Sequence, residues 1–121
     1  MTVFNVSTST ELQSALTTAQ GNGSDDVIQI AQGTYVGNFV YASTEENDLS
    51  ILGGYSTDFN SRDVDASNTI LDGDASSGVM VLMATTVVCD FTIDGLTIQN
   101  GDIFSKGSGI RIETLGFVEV A

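Results

Sequence analysis

Five oxygen-bearing side chains fall on a metal-ligand count. Asp63, Asp65, Ser67, Thr69 and Asp74 take positions 1, 3, 5, 7 and 12 of a calcium-loop spacing, with Ile70 at the apolar eighth place. Calcium prefers hard oxygen donors, so these residues are the candidate metal site. Asn68, however, stands where such a loop turns on Gly, Asp74 is shorter than the usual bidentate Glu, and no helical pattern flanks the segment. The Gly-Gly-x-Gly-x-Asp calcium repeat is also missing. A solvated acidic loop accounts for the same residues. Nothing in the chain requires a cofactor, and calcium is the one ion the loop could take.

Other chemistry-bearing residues are sparse. Asp72, Asp74 and Asp94 could imitate the carboxylate pair that hydrolyses a glycosidic bond, but each sits beside Gly, where Asp commonly accepts from local backbone donors. Arg111 in Gly-Ile-Arg-Ile-Glu reads as an outward residue next to Glu113 on a strand. The polar stretch from Ser56 to Asn68 is the best candidate for binding, since long irregular loops are usually functional or disordered. Within it, Phe59 and Arg62 could meet a sugar face or a protein; the plainer reading packs Phe59 on its own chain. Cys89 has no second cysteine to pair with and reads as a buried strand residue. With no His and no recognisable catalytic motif, turnover within this chain is not expected.

Charge narrows the partners. Three Lys plus Arg against sixteen Asp plus Glu leave 3 − 16 = −13. Arg62, Lys106 and Arg111 stand far apart, so no basic patch exists for nucleic acid or anionic lipid. Disorder does not follow from the charge, because hydrophobic residues reach 41% and recur in short β-branched runs. No apolar run approaches the roughly 20 residues of a membrane span. The opening Met1-Thr-Val-Phe-Asn lacks the basic and apolar regions of a secretion signal. We expect a secreted or surface protein whose leader has been removed; a cytoplasmic chain would open the same way.

The elements that must hold these residues are short. Val3 to Val6 alternates as a strand. Thr10 and Gln13 have capping-box spacing, and Leu12, Ala15, Leu16 and Ala19 make one apolar helical face, ended at Gly21-Asn22-Gly23. From Asp25 on come brief strands: Val27 to Ile30, Phe39 to Tyr41, Leu49 to Leu52, Thr69 to Leu71, Val79 to Met83, Cys89 to Ile93, Leu96 to Gln99, Gly109 to Ile112 and Phe117 to Val120. With no second helix pattern, βαβ crossovers are excluded. An antiparallel sandwich and a stacked solenoid remain. Ile28 to Ile51 and Ile70 to Ile93 are 23 residues apart and Ile93 to Val118 is 25, which favours coils; Ile51 to Ile70, at 19, breaks the period. Asp94-Gly95 reads as a sharp corner, or as a hairpin turn in the sandwich. The expected division is 1–24 as strand plus capping helix and 25–121 as coils of a single domain.

Several motifs look familiar. Glu11-Leu-Gln-Ser-Ala-Leu16 followed by Asp26-Val-Ile-Gln-Ile-Ala-Gln-Gly-Thr-Tyr35 resembles the N-terminal cap and first coil of bacterial pectate-lyase-like β-helix proteins. Ile51-Leu-Gly-Gly-Tyr55, Thr69-Ile-Leu-Asp-Gly73 and Phe91-Thr-Ile-Asp-Gly-Leu-Thr-Ile-Gln-Asn-Gly101 resemble later coils of that group. The resemblance implies an all-β, right-handed parallel β-helix with an N-terminal amphipathic capping helix. It does not fix a chemistry, since this architecture carries lyases, hydrolases, adhesins and filament proteins alike.

Capping separates the two ends. The Thr10 to Gln20 helix is expected to lid the first coil, whereas Phe117, Val118 and Val120 lie in a strand with no lid after it. We therefore expect a non-catalytic structural or adhesive module that self-associates through the C-terminal coil, most simply as a two-fold dimer, with head-to-tail filaments as the alternative. The competing expectations are the opening part of a polysaccharide lyase or hydrolase, and a polysaccharide-binding module using the Ser56 to Asn68 loop.

Overall fold

A computed structural model describes residues 1–75, 78–101 and 109–121; Lys106 lies outside them. Strand dominates, with a single α-helix among the described residues. The chain opens with β1 (Thr2–Val6) and α1 (Ser9–Ala19).

The helix starts on a different cap from the expected one. Thr8 is the N-cap: its Oγ1 accepts the Glu11 N–H at 3.1 Å, and Glu11 Oε1 accepts both the N–H and the hydroxyl of Ser7, at 2.9 and 3.0 Å. The Thr8/Glu11 pair wins over Thr10/Gln13 because a carboxylate also meets the positive end of the helix dipole. Those hydrogen bonds hold the Glu11 carboxyl below its usual range. Leu12, Ala15, Leu16 and Ala19 are buried, as their period predicts.

The remaining strands are β2 (Asp26–Ala31), β3 (Gly33–Val36), β4 (Phe39–Ala42), β5 (Leu49–Tyr55), β6 (Thr69–Asp72), β7 (Met80–Ala84), β8 (Phe91–Asp94), β9 (Thr97–Gln99), β10 (Ile110–Thr114) and β11 (Val118–Val120). They form three sheets, ordered β1-β2-β5-β8-β11, β3-β6-β9 and β4-β7-β10. Every strand ladder among the described residues is parallel. A two-layer antiparallel sandwich is thereby excluded. Asp94-Gly95 is no hairpin either: β8 pairs with β5 and β11, while β9 pairs with β6. Gly95, at φ 75°, redirects the chain from one sheet to another. From β2 onward the chain visits the first, second and third sheets in fixed rotation.

Register shows which spacings carried meaning. Ile28 sits opposite Ile51, 23 residues on, and Ile51 opposite Ile93. The equal spacing of Ile70 to Ile93 is coincidental, because Ile70 belongs to the second sheet, opposite Thr34 and Thr97. Ile93 meets Val120, and Val118 meets Phe91. Most of the long step from Ile51 to Ile93 is made by the segment after Tyr55, inserted between β5 and β6.

One apolar cluster draws on all three sheets and the helix. Alternate residues point into it, as in Phe91 and Ile93 of β8 or Met80, Leu82 and Ala84 of β7. Tyr41 and Phe91 meet edge to face, with centroids 5.8 Å apart. Strand β3 carries no apolar alternation: of its four residues only Tyr35 is buried, with its hydroxyl donating to the Ala31 carbonyl at 2.7 Å. No helix among the described residues is long and apolar enough to cross a membrane.

Candidate functional site: the Tyr55–Asn68 loop and strand β11

The segment after β5 is an ordered loop. Ser61 O accepts the Ser56 N–H, Ser56 O accepts the Phe59 N–H, both at 2.9 Å, and Asp58 Oδ1 takes the Ser56 hydroxyl at 2.6 Å and the Asn60 N–H at 3.0 Å. The Ser56 hydroxyl, ahead of the Asn60 N–H, holds the Asp58 carboxyl below its usual range. Phe59 adopts a positive φ of 60°, which brings its ring to 6.2 Å from that of Tyr55. The Arg62 guanidinium lies 5.5 Å from the same ring centroid.

Phe59 and Arg62 are thus brought together, on Tyr55. Both are committed to the protein. Arg62 Nε donates to the Gly53 carbonyl at 2.8 Å, and its terminal nitrogen lies 3.4 Å from both the carbonyl and the carboxylate of Asp94. The side chain ties β5 to the corner after β8. Such a half-buried guanidinium braces two strands first and is available to a ligand second.

The calcium count does not gather into one loop. Asp65 Oδ1 accepts the Ser67 N–H and hydroxyl at 3.0 and 2.6 Å, capping a 3-10 turn at Ala66–Asn68, and the Ser67 hydroxyl chiefly lowers its carboxyl. Thr69 is buried at the start of β6, its Oγ1 accepting the Gly54 N–H at 2.8 Å. Asp63 gives its backbone N–H to the Gly54 carbonyl, and Asp74 stands beyond β6 at φ 52°. Strand formation at Thr69 separates residues that a calcium loop would have folded together. Among the described residues no three acidic or cysteine side chains are grouped to hold a metal ion.

Among the corner aspartates, Asp72 is taken up by local donors and the Asp94 carboxylate by Arg62. Asp72 Oδ1 accepts the Asp74 N–H at 2.8 Å, while Oδ2 accepts the amides of Gln99 and Asn100 at 3.1 and 2.9 Å. The Asp74 N–H, then these amides, hold the Asp72 carboxyl low. Arg111 pairs with Glu113 two residues along β10, its Nε at 3.1 Å from the carboxylate. Cys89 is fully buried, and desolvation first, then the Asp48 charge, pushes its thiol up to about 11.

A second aspartate series escaped sequence reasoning. Asp25 Oδ1 accepts the Asp48 N–H at 2.8 Å, Asp48 Oδ1 accepts the Asp90 N–H at 3.0 Å, and Asp90 Oδ1 accepts the Phe117 N–H at 2.8 Å. Each stands just before a strand of the first sheet. That placement was visible in Asp25-Asp26, Asp48-Leu49 and Asp90-Phe91, but only once the strands were in register. The fourth place of the series is Phe117, an aromatic ring that is 82% exposed.

Strand β11 continues the inward columns of the core. Val118 follows Leu49 and Phe91, and Val120 follows Ile51 and Ile93, in the same register. Leu49, Phe91, Ile51 and Ile93 are buried, whereas Val118 and Val120 remain 45% and 59% exposed. Val118 and Val120 therefore leave an apolar surface open at the outer edge of the first sheet, with the exposed Phe117 just before them in the chain.

The outer edge of β4 is met by side-chain amides. Gln13 bonds to both the N–H and the carbonyl of Val40, Gln20 Oε1 accepts the Ala42 N–H at 3.0 Å, and the Ser43 hydroxyl donates to the Gln20 carbonyl at 2.9 Å. These bonds lay α1 along the free edge of β4. Between α1 and β1 runs a groove of about 330 Å³, lined by Phe4 and Val6 on one wall and by Glu11, Ser14, Ala15 and Thr18 on the other. No protein-family model, no curated protein and no solved structure matches the chain.

Proposed function

We propose that the chain is a right-handed parallel β-helix, each pass through the three sheets being one coil, and that it is a structural module of the cell surface or extracellular space that self-associates through its C-terminal coil without turnover. The fixed rotation of strands through three parallel sheets around one shared core supports the coiled reading. Right-handedness follows from the near-universal hand of parallel crossover connections. The resemblance to pectate-lyase-like β-helix proteins points the same way.

One observation carries the functional half: the core columns that are dry at Ile51 and Leu49 lie open at Val118 and Val120, beside the exposed Phe117 and Leu115. An edge strand with exposed apolar side chains is a template for further β-structure. The acidic charge of −13 keeps such a module soluble while it is unpaired.

The test is the mass in solution across a concentration series. The parent chain should associate, and Phe117→Lys with Val120→Lys should return it to monomer at unchanged circular dichroism. A strictly monomeric parent at high concentration would remove the assembly half. Release of unsaturated or reducing sugars from pectate or alginate with added calcium would replace it by the enzymatic reading, and glycan binding lost on Phe59→Ala would replace it by the polysaccharide-binding reading.

A further inference from the structure

The geometry points to a specific acceptor for β11: the groove between β1 and α1 of a second copy, so that copies join head to tail. The inference rests on the proposed function and adds which surface the C-terminal edge meets.

Edge chemistry is the first support. β1 and β11 are the two outer strands of the same parallel sheet. The Thr2 N–H bonds to Asp25 O, so Thr2, Phe4 and Val6 face β2, and alternation turns the N–H and carbonyl groups of Val3 and Asn5 to the other side. At the far end, Phe117 O accepts the Phe91 N–H and the Ala121 N–H bonds to Ile93 O, which leaves Val118 and Val120 facing outward. Laying β11 of one copy on β1 of the next pairs these two sets in the parallel direction of the existing sheet.

Side-chain register is the second. The columns Thr2–Asp26–Leu49–Phe91–Val118 and Phe4–Ile28–Ile51–Ile93–Val120 run the length of the sheet. Continuing the register sets Val120 of one copy against Phe4 of the next, inside the groove whose other wall is Ala15 and Ser14 of α1.

The third support is a spacing that closes. The first sheet has five strands and the other two have three each, so a junction of β11 on β1 leaves two strand positions unfilled in the second and third sheets. Three strand spacings then separate β10 of one copy from β4 of the next, about 14 Å. The helix bonded along β4, about 10–12 Å across with its side chains, occupies that space. On this geometry α1 is a spacer within the stack.

A head-to-tail contact uses two different surfaces, and mixing variants reads that out. Asn5→Pro removes an outward N–H from β1, Ser14→Trp fills the groove from an exposed helix position, and Val120→Pro removes the outward N–H of β11. Masses are measured in moderate salt to screen Glu11 and Glu119. Each variant alone should be a monomer of unchanged circular dichroism, and an equimolar mixture of Val120→Pro with either groove variant should give a species of twice the monomer mass. Should Asn5→Pro misfold, Ser14→Trp alone supplies the groove arm. If both groove variants associate like the parent and only Val120→Pro is monomeric, with nothing gained on mixing, the contact is tail to tail and the groove proposal is overturned while self-association stands. If the parent itself is monomeric, self-association has failed, and this inference with it.

Discussion

Gln13 and Val40 form a closed two-bond ring: Gln13 Oε1 accepts the Val40 N–H at 3.0 Å and Gln13 Nε2 donates to the Val40 carbonyl at 2.9 Å. A side-chain amide here copies what a neighbouring strand residue would offer. β4 is the outer strand of its sheet, and its outward N–H groups at Val40 and Ala42 are met by Gln13 of α1 and by Gln20, the residue that caps its C-terminus. Strand edges left bare are sites of unwanted pairing. Gln13→Ala frees an edge that is partly open to water, so the loss should be about 1 kcal/mol. Urea denaturation measures it, and a variant as stable as the parent would deny the ring any structural weight.

The aspartate series on the first sheet makes a different demand. Asp48 accepts from the Asp90 N–H and donates its own N–H to the Asp25 carboxylate. Asparagine keeps the acceptor oxygen and removes one of three stacked charges, so Asp48→Asn should be at least as stable as the parent at low salt. Asp48→Ala leaves the Asp90 N–H without its partner and should lose about 1 kcal/mol. Thermal unfolding of the pair separates hydrogen bonding from charge; equal losses in both would mean the charge itself is required.

Acid should weaken the fold through carboxyls that bond local donors. Glu11, Asp58, Asp65 and Asp72 are all held below their ordinary values of 4.5 and 3.8. A group depressed in the folded state stabilises it fully above the unfolded value and loses that contribution as pH falls through the folded one. The denaturation midpoint should therefore be flat above about pH 5 and decline below about pH 4. Asp72→Asn should shallow that decline; an unchanged acid limb would mean Asp72 bonds equally well when protonated.

Much of the fold was legible because inward residues repeat at period 2 and the capping helix at period 3.6. Leu12, Ala15, Leu16 and Ala19 are the buried face that their spacing implies. Strand β3 was illegible, since Gly33, Thr34 and Val36 are exposed and leave no alternation to see. The cap was misplaced because Thr8 and Thr10 each precede a fitting partner by three residues, and only the dipole's preference for Glu11 decides between them. The sequence singles out Phe59 and Arg62 in the loop, but their commitment to Tyr55, Gly53 and Asp94 depends on strands brought together from distant sequence. Gln13 was read as half of a cap because its real partner, Val40, is 27 residues away.

Cys89 offers a probe of opening that needs no added label. Its side chain is fully buried, and a thiol pushed up to about 11 is about one-thousandth ionised at pH 8. A disulfide reagent at pH 8 should modify the folded chain slowly and the urea-unfolded chain at once. Fast modification of the folded protein would mean the turn before β8 opens locally.

At Gly53 two passes of the chain come into close backbone approach. A Cβ there would lie 2.3 Å from the Gly95 carbonyl oxygen and 2.5 Å from Leu96, with the backbone partner unable to rotate aside. The Gly53 carbonyl also receives the Arg62 Nε bond, so any shift of β5 breaks the brace to Asp94. Gly53→Ala should therefore destabilise by several kcal/mol, in the range of overpacked sites. Arg62→Ala removes the brace alone, at a pair still in reach of water, and should lose about 1 kcal/mol. The ordering of the two variants in urea is the prediction. If Arg62→Ala proves the more damaging, the loop brace and not the close approach of Gly53 to Gly95 holds β5 against β8.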